Sequence, residues 1–183
     1  DVGANEPRHL SITASLYDMG WRGLLIEADP ALAHELRIMR PRDQVIEMAA
    51  ADGPGELTFY RVPGTGLGTL DAGEAEAARA RGFEVTATPV VTAALDTMLT
   101  EREVGEIHFM SIDVEGAESV VLQGLSLITH RPWVFCVEAV LPGTSTPSHQ
   151  DWEPRIIKAK YKFVAFDGVN RWYLADEHKE LAE

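Results

Sequence analysis

No run of apolar residues in this sequence reaches the ~20 needed to cross a bilayer, and no charged segment followed by an apolar one opens it. Neither membrane insertion nor a secretory leader is therefore expected. Clustered lysine and arginine are missing as well: 16 basic residues stand against 29 acidic ones, for a formal charge of −13 and a pI near 4.8. Binding a phosphate backbone requires basic clusters, so nucleic acid is not an expected partner. Cysteine is reduced to Cys136, inside the apolar run 132–137. A lone thiol forms no internal disulfide and reads as a small core residue, which points to a reducing cytoplasm. Repeats, low-complexity segments and linkers are absent too, and nothing in the chain sets an oligomeric state.

What is present is an alternation of strand-like and helix-like segments. With 183 residues, 45% of them hydrophobic, the chain is long enough for one domain with a sizeable core. Residues 11–19 space Ile12, Leu16 and Met19 for one helical face, and 21–27 reads as a strand ending in Glu27. Pro30 suits the start of a helix over 31–40 with Leu32, Leu36 and Met39 inward. A third strand spans 45–49, and 52–55 is a turn into a strand at 56–61, antiparallel or at an edge. The glycine-rich loop 62–68 lacks the lysine of a phosphate loop. Residues 71–81 read as a surface helix or a mobile insertion. A strand at 86–92 and a helix at 93–102, with Leu95, Met98 and Leu99 buried, lead to a strand at 107–112 and a helix at 117–123. The strand 132–138, a loop at 141–150, a helix at 152–160 and a hairpin pairing 163–166 with 171–174 complete the chain. This pattern predicts a doubly wound α/β sheet.

Carboxylates close the successive strands: Glu27, Asp52, Asp113 and Glu138, with Asp1 placed as if following another. Ligands of open α/β sheets bind at that carboxyl edge, so the array suits a ligand bearing hydroxyls and positive charge. Glu27 lies roughly 20 residues beyond the turn at Gly3, where a Rossmann-type sheet places its ribose-binding acid. A nicotinamide dinucleotide is disfavoured, because its turn needs three glycines and this one has Gly3 followed by Glu6-Pro7. S-adenosylmethionine, which has no phosphates and carries an ammonium and a sulfonium, fits a single-glycine turn among acids.

The stretches DVGANEP, Tyr17-Asp18-Met19-Gly20-Trp21-Arg22-Gly23, IEADP, AAAD, IDVEGAE, W-E-P and FDGVNRWY together resemble the FkbM family of methyltransferases, over almost the whole chain. The resemblance implies a Rossmann-like class I methyltransferase fold, a doubly wound, mostly parallel sheet with one antiparallel strand at 171–174. It also implies O-methylation of a hydroxyl, often on a sugar of a polysaccharide, glycolipid or glycosylated natural product. Carried over by position, Asp1, Gly3 and Asn5 contact the methionine end of the cofactor, Glu27 takes the ribose hydroxyls, and Asp52 lies near the adenine amine. The chain departs from the pattern at Glu6-Pro7, where many relatives have glycine, and a first strand before Asp1 is expected but lies outside the sequence.

Methyl transfer from a sulfonium is an in-line displacement, and a sugar hydroxyl is a weak acid. Two routes are open: a carboxylate or histidine as general base, or a divalent metal that lowers the hydroxyl's pKa. Asp113, Glu115 and Glu138 at neighbouring strand ends are the candidates for both, and their oxygens favour Mg²⁺, Ca²⁺ or Mn²⁺ over zinc. Against these roles stands a purely local one, in which Glu115 and Glu118 complement a helix dipole. Among the histidines His149, in the loop after the strand ending at Glu138, is preferred for substrate contact or as base, with His9 as a possible pocket residue. The alternative from another class is a non-catalytic module that keeps the fold and binds without turnover.

Overall fold

The computed structural model describes residues 1–182. In chain order the elements are α1 (Ala14–Asp18), β1 (Leu24–Glu27), α2 (Pro30–Met39), β2 (Gln44–Glu47), β3 (Ala49–Ala51), β4 (Gly55–Arg61), α3 (Ala72–Ala80), β5 (Thr86–Ala94) and α4 (Leu95–Glu101). They continue with β6 (Phe109–Ile112), α5 (Glu118–Gln123), β7 (Val134–Glu138), α6 (Glu153–Lys158), β8 (Tyr161–Phe166) and β9 (Asn170–Ala175), and a 3-10 segment over Asp176–Ala182. Among the described residues no helix is long and apolar enough to cross a membrane.

The architecture is mixed α/β, with three hydrogen-bonded groups of strands in the orders β1-β2, β3-β5-β4 and β6-β7-β9-β8. Parallel pairs join β1 to β2, β3 to β5 and β6 to β7. Val2 makes parallel bridges to Ile26 and to Ile112, so the opening residues run between β1 and β6 and tie the first group to the third. Its amide donates to Ser111 O (2.9 Å) and its carbonyl accepts from Asp113 N (3.0 Å). In the group β6-β7-β9-β8 the expected antiparallel strand is β9, which runs against both β7 and β8, and in the group β3-β5-β4 the strand β4 is antiparallel to β5. The turn 52–55 sends the chain straight back, and that reversal gives β4 its direction.

Local chemistry explains the helices that frame the site. Asp29 caps α2 by accepting from Ala31 N (2.8 Å), and Pro30 starts the helix where its missing N–H costs nothing. The inward face of α2 is Ala33 and Leu36, of which Leu36 packs with Ala4 and Leu25, while Met39 is exposed and Leu32 half-buried. The inward face is thus shifted from the expected Leu32, Leu36 and Met39 to Ala33 and Leu36. The segment expected as a surface helix or insertion is α3, capped by Asp71, whose carboxylate accepts from Gly73 N (2.6 Å) and Glu74 N (3.0 Å). The main core gathers Ile26, Leu95, Met98, Leu99, Ile112, Val121, Leu122, Phe135, Val137, Ile156 and Tyr173.

Candidate functional site

The carboxyl ends of β1 and β6, with residues 1–5 between them, open on a cavity of about 350 Å³. Gly3 makes this junction possible. Its φ is +78°, and an added Cβ would lie 1.8 Å from the carbonyl oxygen of Asp113, so only glycine lets the turn pass this close to β6. Asn5 follows at φ 52° and donates its amide to Glu27 Oε2 (2.8 Å), while Asp29 N donates to Glu27 Oε1 (2.7 Å). Glu27 is only 5% exposed, and its burial raises its pKa while the backbone donors oppose the rise. Each oxygen has a second acceptor position for a ligand hydroxyl. The carboxylate of Asp1 accepts from Thr13 Oγ1 (2.5 Å), and Asp1, Gly3, Asn5 and Glu27 all line the cavity.

The opposite wall comes from the glycine-rich loop after β4. A Cβ on Gly66 would stand 2.5 Å from Asn5 Nδ2, and Thr69 Oγ1 donates to Glu115 O (2.7 Å). Residues 62–66 and 68–70 therefore roof the space between the 1–5 turn and the strand end at Asp113. Arg61, at the end of β4, pairs with Asp29 and also lines the cavity. Around this space stand seven acids, Asp1, Glu6, Glu27, Asp29, Glu35, Asp113 and Glu115, against the single cation Arg61. The field inside favours a positively charged ligand.

At the inner end, β6 breaks into the turn Asp113-Val114-Glu115-Gly116. Glu115 takes φ 53° and Gly116 φ 97°, left-handed geometry that costs a non-glycine residue ~1–3 kcal/mol and is typical of functional turns. Glu118 stabilises the turn from below: its buried Oε1 accepts from Val114 N (3.2 Å) and Gly116 N (3.1 Å). It therefore organises the loop as well as complementing a helix start. Asp113, Glu115 and Glu138 bring a carboxylate oxygen each within 4.8 Å of one another. Burial pushes Glu115 up to about 8, with Asp113, Glu118 and Glu74 adding and Arg81 opposing. Burial likewise pushes Glu138 up to about 11 and, beside backbone donors that oppose it, Glu118 up to about 7. Asp113 is also raised by burial, although its hydrogen bond with Glu138 opposes the shift.

Three expected site residues lie elsewhere. Asp52 is exposed and outside the cavity lining, because the wall there is Met48, Ala49 and Ala50, and β3 ends at Ala51. Thr92 Oγ1 holds the following turn by donating to Gly53 O (3.1 Å). His149 is also outside the lining; it is half-buried in a 3-10 turn with Nε2 3.9 Å from Glu153 Oε2. Glu153 is in turn held by Arg171 and Tyr173, so His149 belongs to the packing of α6 on β9. His9 is exposed and does not line the cavity. Asp167 accepts from Val169 N (2.9 Å) and Asn170 N (2.7 Å), the hairpin-organising role open to it in the sequence. Sequence reasoning missed Asp29, Arg61 and the 62–70 roof. Asp29 carried a signal in its place before Pro30; the other two carried none, because distant contacts create their roles.

Comparison with known proteins bears on the whole chain. No curated protein matches it. A crystal structure of the methyltransferase FkbM from Methylobacillus flagellatus KT superposes with a TM-score of 0.55 at 15% identity, over 95% of this chain and 42% of that one. The chain thus spans less than half the length of that structure, and the likeness is one of fold. The model of the methyltransferase FkbM domain matches residues 1–163, which contain the 1–5 turn, Glu27 and the three converging carboxylates, and the chain therefore belongs to the FkbM methyltransferase family.

Proposed function

We propose that this protein transfers a methyl group from S-adenosylmethionine to a hydroxyl, on a sugar of a polysaccharide, glycolipid or glycosylated natural product. The observation that carries the reading is the cavity between β1 and β6, where seven acids and one arginine surround a space of about 350 Å³. Ligand pockets fall in the range of ~300–1,000 Å³, and this field suits a donor with an ammonium and a sulfonium. In this reading β2-β1-Val2-β6-β7-β9-β8 is one Rossmann-like sheet of the class I methyltransferase kind, and the strand ends form its ligand edge.

Asp1, Gly3 and Asn5 flank the methionine end, and Glu27 accepts the ribose hydroxyls. Met48, Ala49 and Ala50, rather than Asp52, wall the space assigned to adenine. The methyl carbon then faces Asp113 and Glu115. As the O–CH₃ bond forms, the S–CH₃ bond breaks, its electron pair returns to sulfur, and the hydroxyl proton passes to a carboxylate. Alignment contributes ~7–11 kcal/mol to such a step and a positioned base ~10²–10⁴-fold in rate. The cavity walls therefore matter as much as the base. A cytoplasmic setting agrees with the single buried thiol of Cys136.

The test is calorimetry with S-adenosylmethionine, S-adenosylhomocysteine and NAD, followed by transfer of a labelled methyl group to a panel of glycans. Binding of the first two ligands and label in a methyl ether is the expected result. NAD binding alone would overturn the donor assignment. Donor binding without transfer to any hydroxylated acceptor would leave a non-catalytic module.

A further inference from the structure

The geometry points to a divalent cation site formed by Asp113, Glu115 and Glu138 in the wall of the cavity. The three side chains come from two adjacent strand ends, and no two of their converging oxygens are farther apart than 4.8 Å. Oxygens bound to one divalent ion at ~2.0–2.6 Å lie up to ~4–5 Å from each other, so the spacing matches a shared ion.

Convergence of acids alone would not establish a site; their lack of partners does. Glu138 is only 5% exposed, and its Oε2 has no hydrogen-bond donor. Glu115 Oε2 is buried and without a donor as well. A buried acid left like this loses its hydration without compensation. Glu118, the fourth acid nearby, differs because backbone amides of the turn engage its Oε1. Arg81 reaches Glu115 with its field, yet its Nη1 is engaged by Pro142 O (3.0 Å). A shared proton between Asp113 and Glu138 satisfies that pair and leaves Glu115 Oε2 bare. One cation satisfies all three.

The ligand set contains oxygen and neither nitrogen nor sulfur, so it selects a hard ion: Mg²⁺, Mn²⁺ or Ca²⁺. Asp113 and Glu115 line the cavity and Glu138 converges on them, so an ion held by the three borders the cavity. Such ions take ~6–8 ligands, so room remains for water and for two oxygens of an acceptor. Adjacent hydroxyls of a sugar are the class that chelates in this way, and coordination lowers the pKa of the hydroxyl to be methylated. The chelated diol rests on the proposed methyl transfer; the cation site itself does not.

The experiment is Mn²⁺ titration followed by electron paramagnetic resonance on EDTA-stripped protein, with donor affinity measured by calorimetry on the same sample. The expected result is about one tightly held Mn²⁺ per chain, displaced by Mg²⁺ or Ca²⁺, and held at least ~10-fold more weakly by Glu138→Gln, a loss of the size seen when a metal site is disturbed. Donor affinity should be unchanged in that variant. Asp113→Asn provides a second test of the same site should Glu138→Gln fail to fold. Wild-type protein that binds the donor but no stoichiometric Mn²⁺ overturns the site. Equal Mn²⁺ affinity in the folded variants also overturns it, by placing the ion elsewhere on the acidic surface. Mn²⁺ binding without donor binding supports the cation site and removes the methyl-donor reading instead.

Discussion

The carbonyl oxygen of Asp113 lies 1.8 Å from the point where a side chain on Gly3 would begin. The turn that flanks the proposed donor and the strand end that carries the acids are therefore in direct backbone contact. Gly3→Ala must open this contact and also hold a left-handed φ of +78° with a Cβ. A loss of ~2–4 kcal/mol in urea unfolding is expected, since overpacking and backbone strain add. Stability within ~0.5 kcal/mol of wild type, the range of a neutral surface change, would show that the turn can move away from β6 freely.

Glu27 and Asp52 both end strand segments in acids, yet only Glu27 lines the cavity. Glu27→Gln keeps the volume but presents an NH₂ group to one of the two backbone amides, Asn5 N or Asp29 N, that the carboxylate accepts. Donor affinity should fall about tenfold, ~1.4 kcal/mol, or more. Asp52→Asn should leave it unchanged. Calorimetry on the two variants decides the assignment, and the reverse ranking would return the adenine contact to Asp52.

The ranking also marks how far the sequence was readable. Acids at the ends of apolar runs are a local pattern, so Glu27, Asp113 and Glu138 could be placed at strand ends in advance. The cap at Asp29 has a local signature as well, because Pro30 follows it. Asp52 is placed differently because the expected strand 45–49 runs unbroken toward it, whereas the structure divides that segment at Met48 into β2 and β3, in different strand groups. No local pattern records which group a three-residue strand joins. The roof at 62–70 was equally hidden: its contacts reach from Gly66 to Asn5 and from Thr69 to Glu115, and glycine-rich segments have no periodicity to read. His149 looked available because loops after strand ends often carry function, but Glu153 and the packing of α6 hold it away.

Cys136 is fully buried in β7, and burial pushes its thiol up to about 12. Thiolate is the reactive form, so at pH 8 the folded protein should be inert to a disulfide reagent such as DTNB. Reaction should appear only with global unfolding and at the same denaturant concentration as the loss of secondary structure. Rapid labelling in buffer would mean that β7 opens locally.

Arg131 fastens the C-terminal segment by donating to Leu127 O (3.4 Å), Ala159 O (2.6 Å), Lys160 O (3.1 Å) and the carboxylate of Glu177. Those hydrogen bonds hold Glu177 down to about 2. A carboxyl depressed on folding stabilises above its unfolded value, near 4.5, and the contribution disappears as pH falls through about 2. Solvent screening of this largely exposed group limits the contribution to ~1 kcal/mol or less. Glu177→Gln should therefore cost that little at pH 7 and flatten the acid limb between about 4.5 and about 2. Arg131→Ala should cost more at neutral pH, ~2–3 kcal/mol, because it also leaves the carbonyls of Leu127 and Ala159 without their donor, while Lys160 O keeps Asp176 N (3.1 Å). Equal costs in urea unfolding at pH 7 would reduce the whole arrangement to one surface ion pair.

Asp113 combines two roles that a single substitution can separate. Its backbone holds Val2 and abuts Gly3, while its side chain belongs to the carboxylate cluster. Asp113→Asn leaves the backbone contacts in place and puts a neutral amide in a buried group of acids. Because burial raises the pKa of Asp113, its ionised form disfavours the folded state at neutral pH, and the amide relieves that cost. The variant should accordingly fold with stability equal to or above wild type at pH 7.5. Methyl transfer should fall by ~10²–10⁴-fold in kcat, the range of a lost general base. A drop of that size in a stably folded, donor-binding protein assigns the loss to the Asp113 carboxylate, and the Mn²⁺ affinity of the same variant separates its roles as base and as ligand. Full turnover in Asp113→Asn would remove its side chain from the reaction and transfer the proton-accepting role to Glu115 or Glu138.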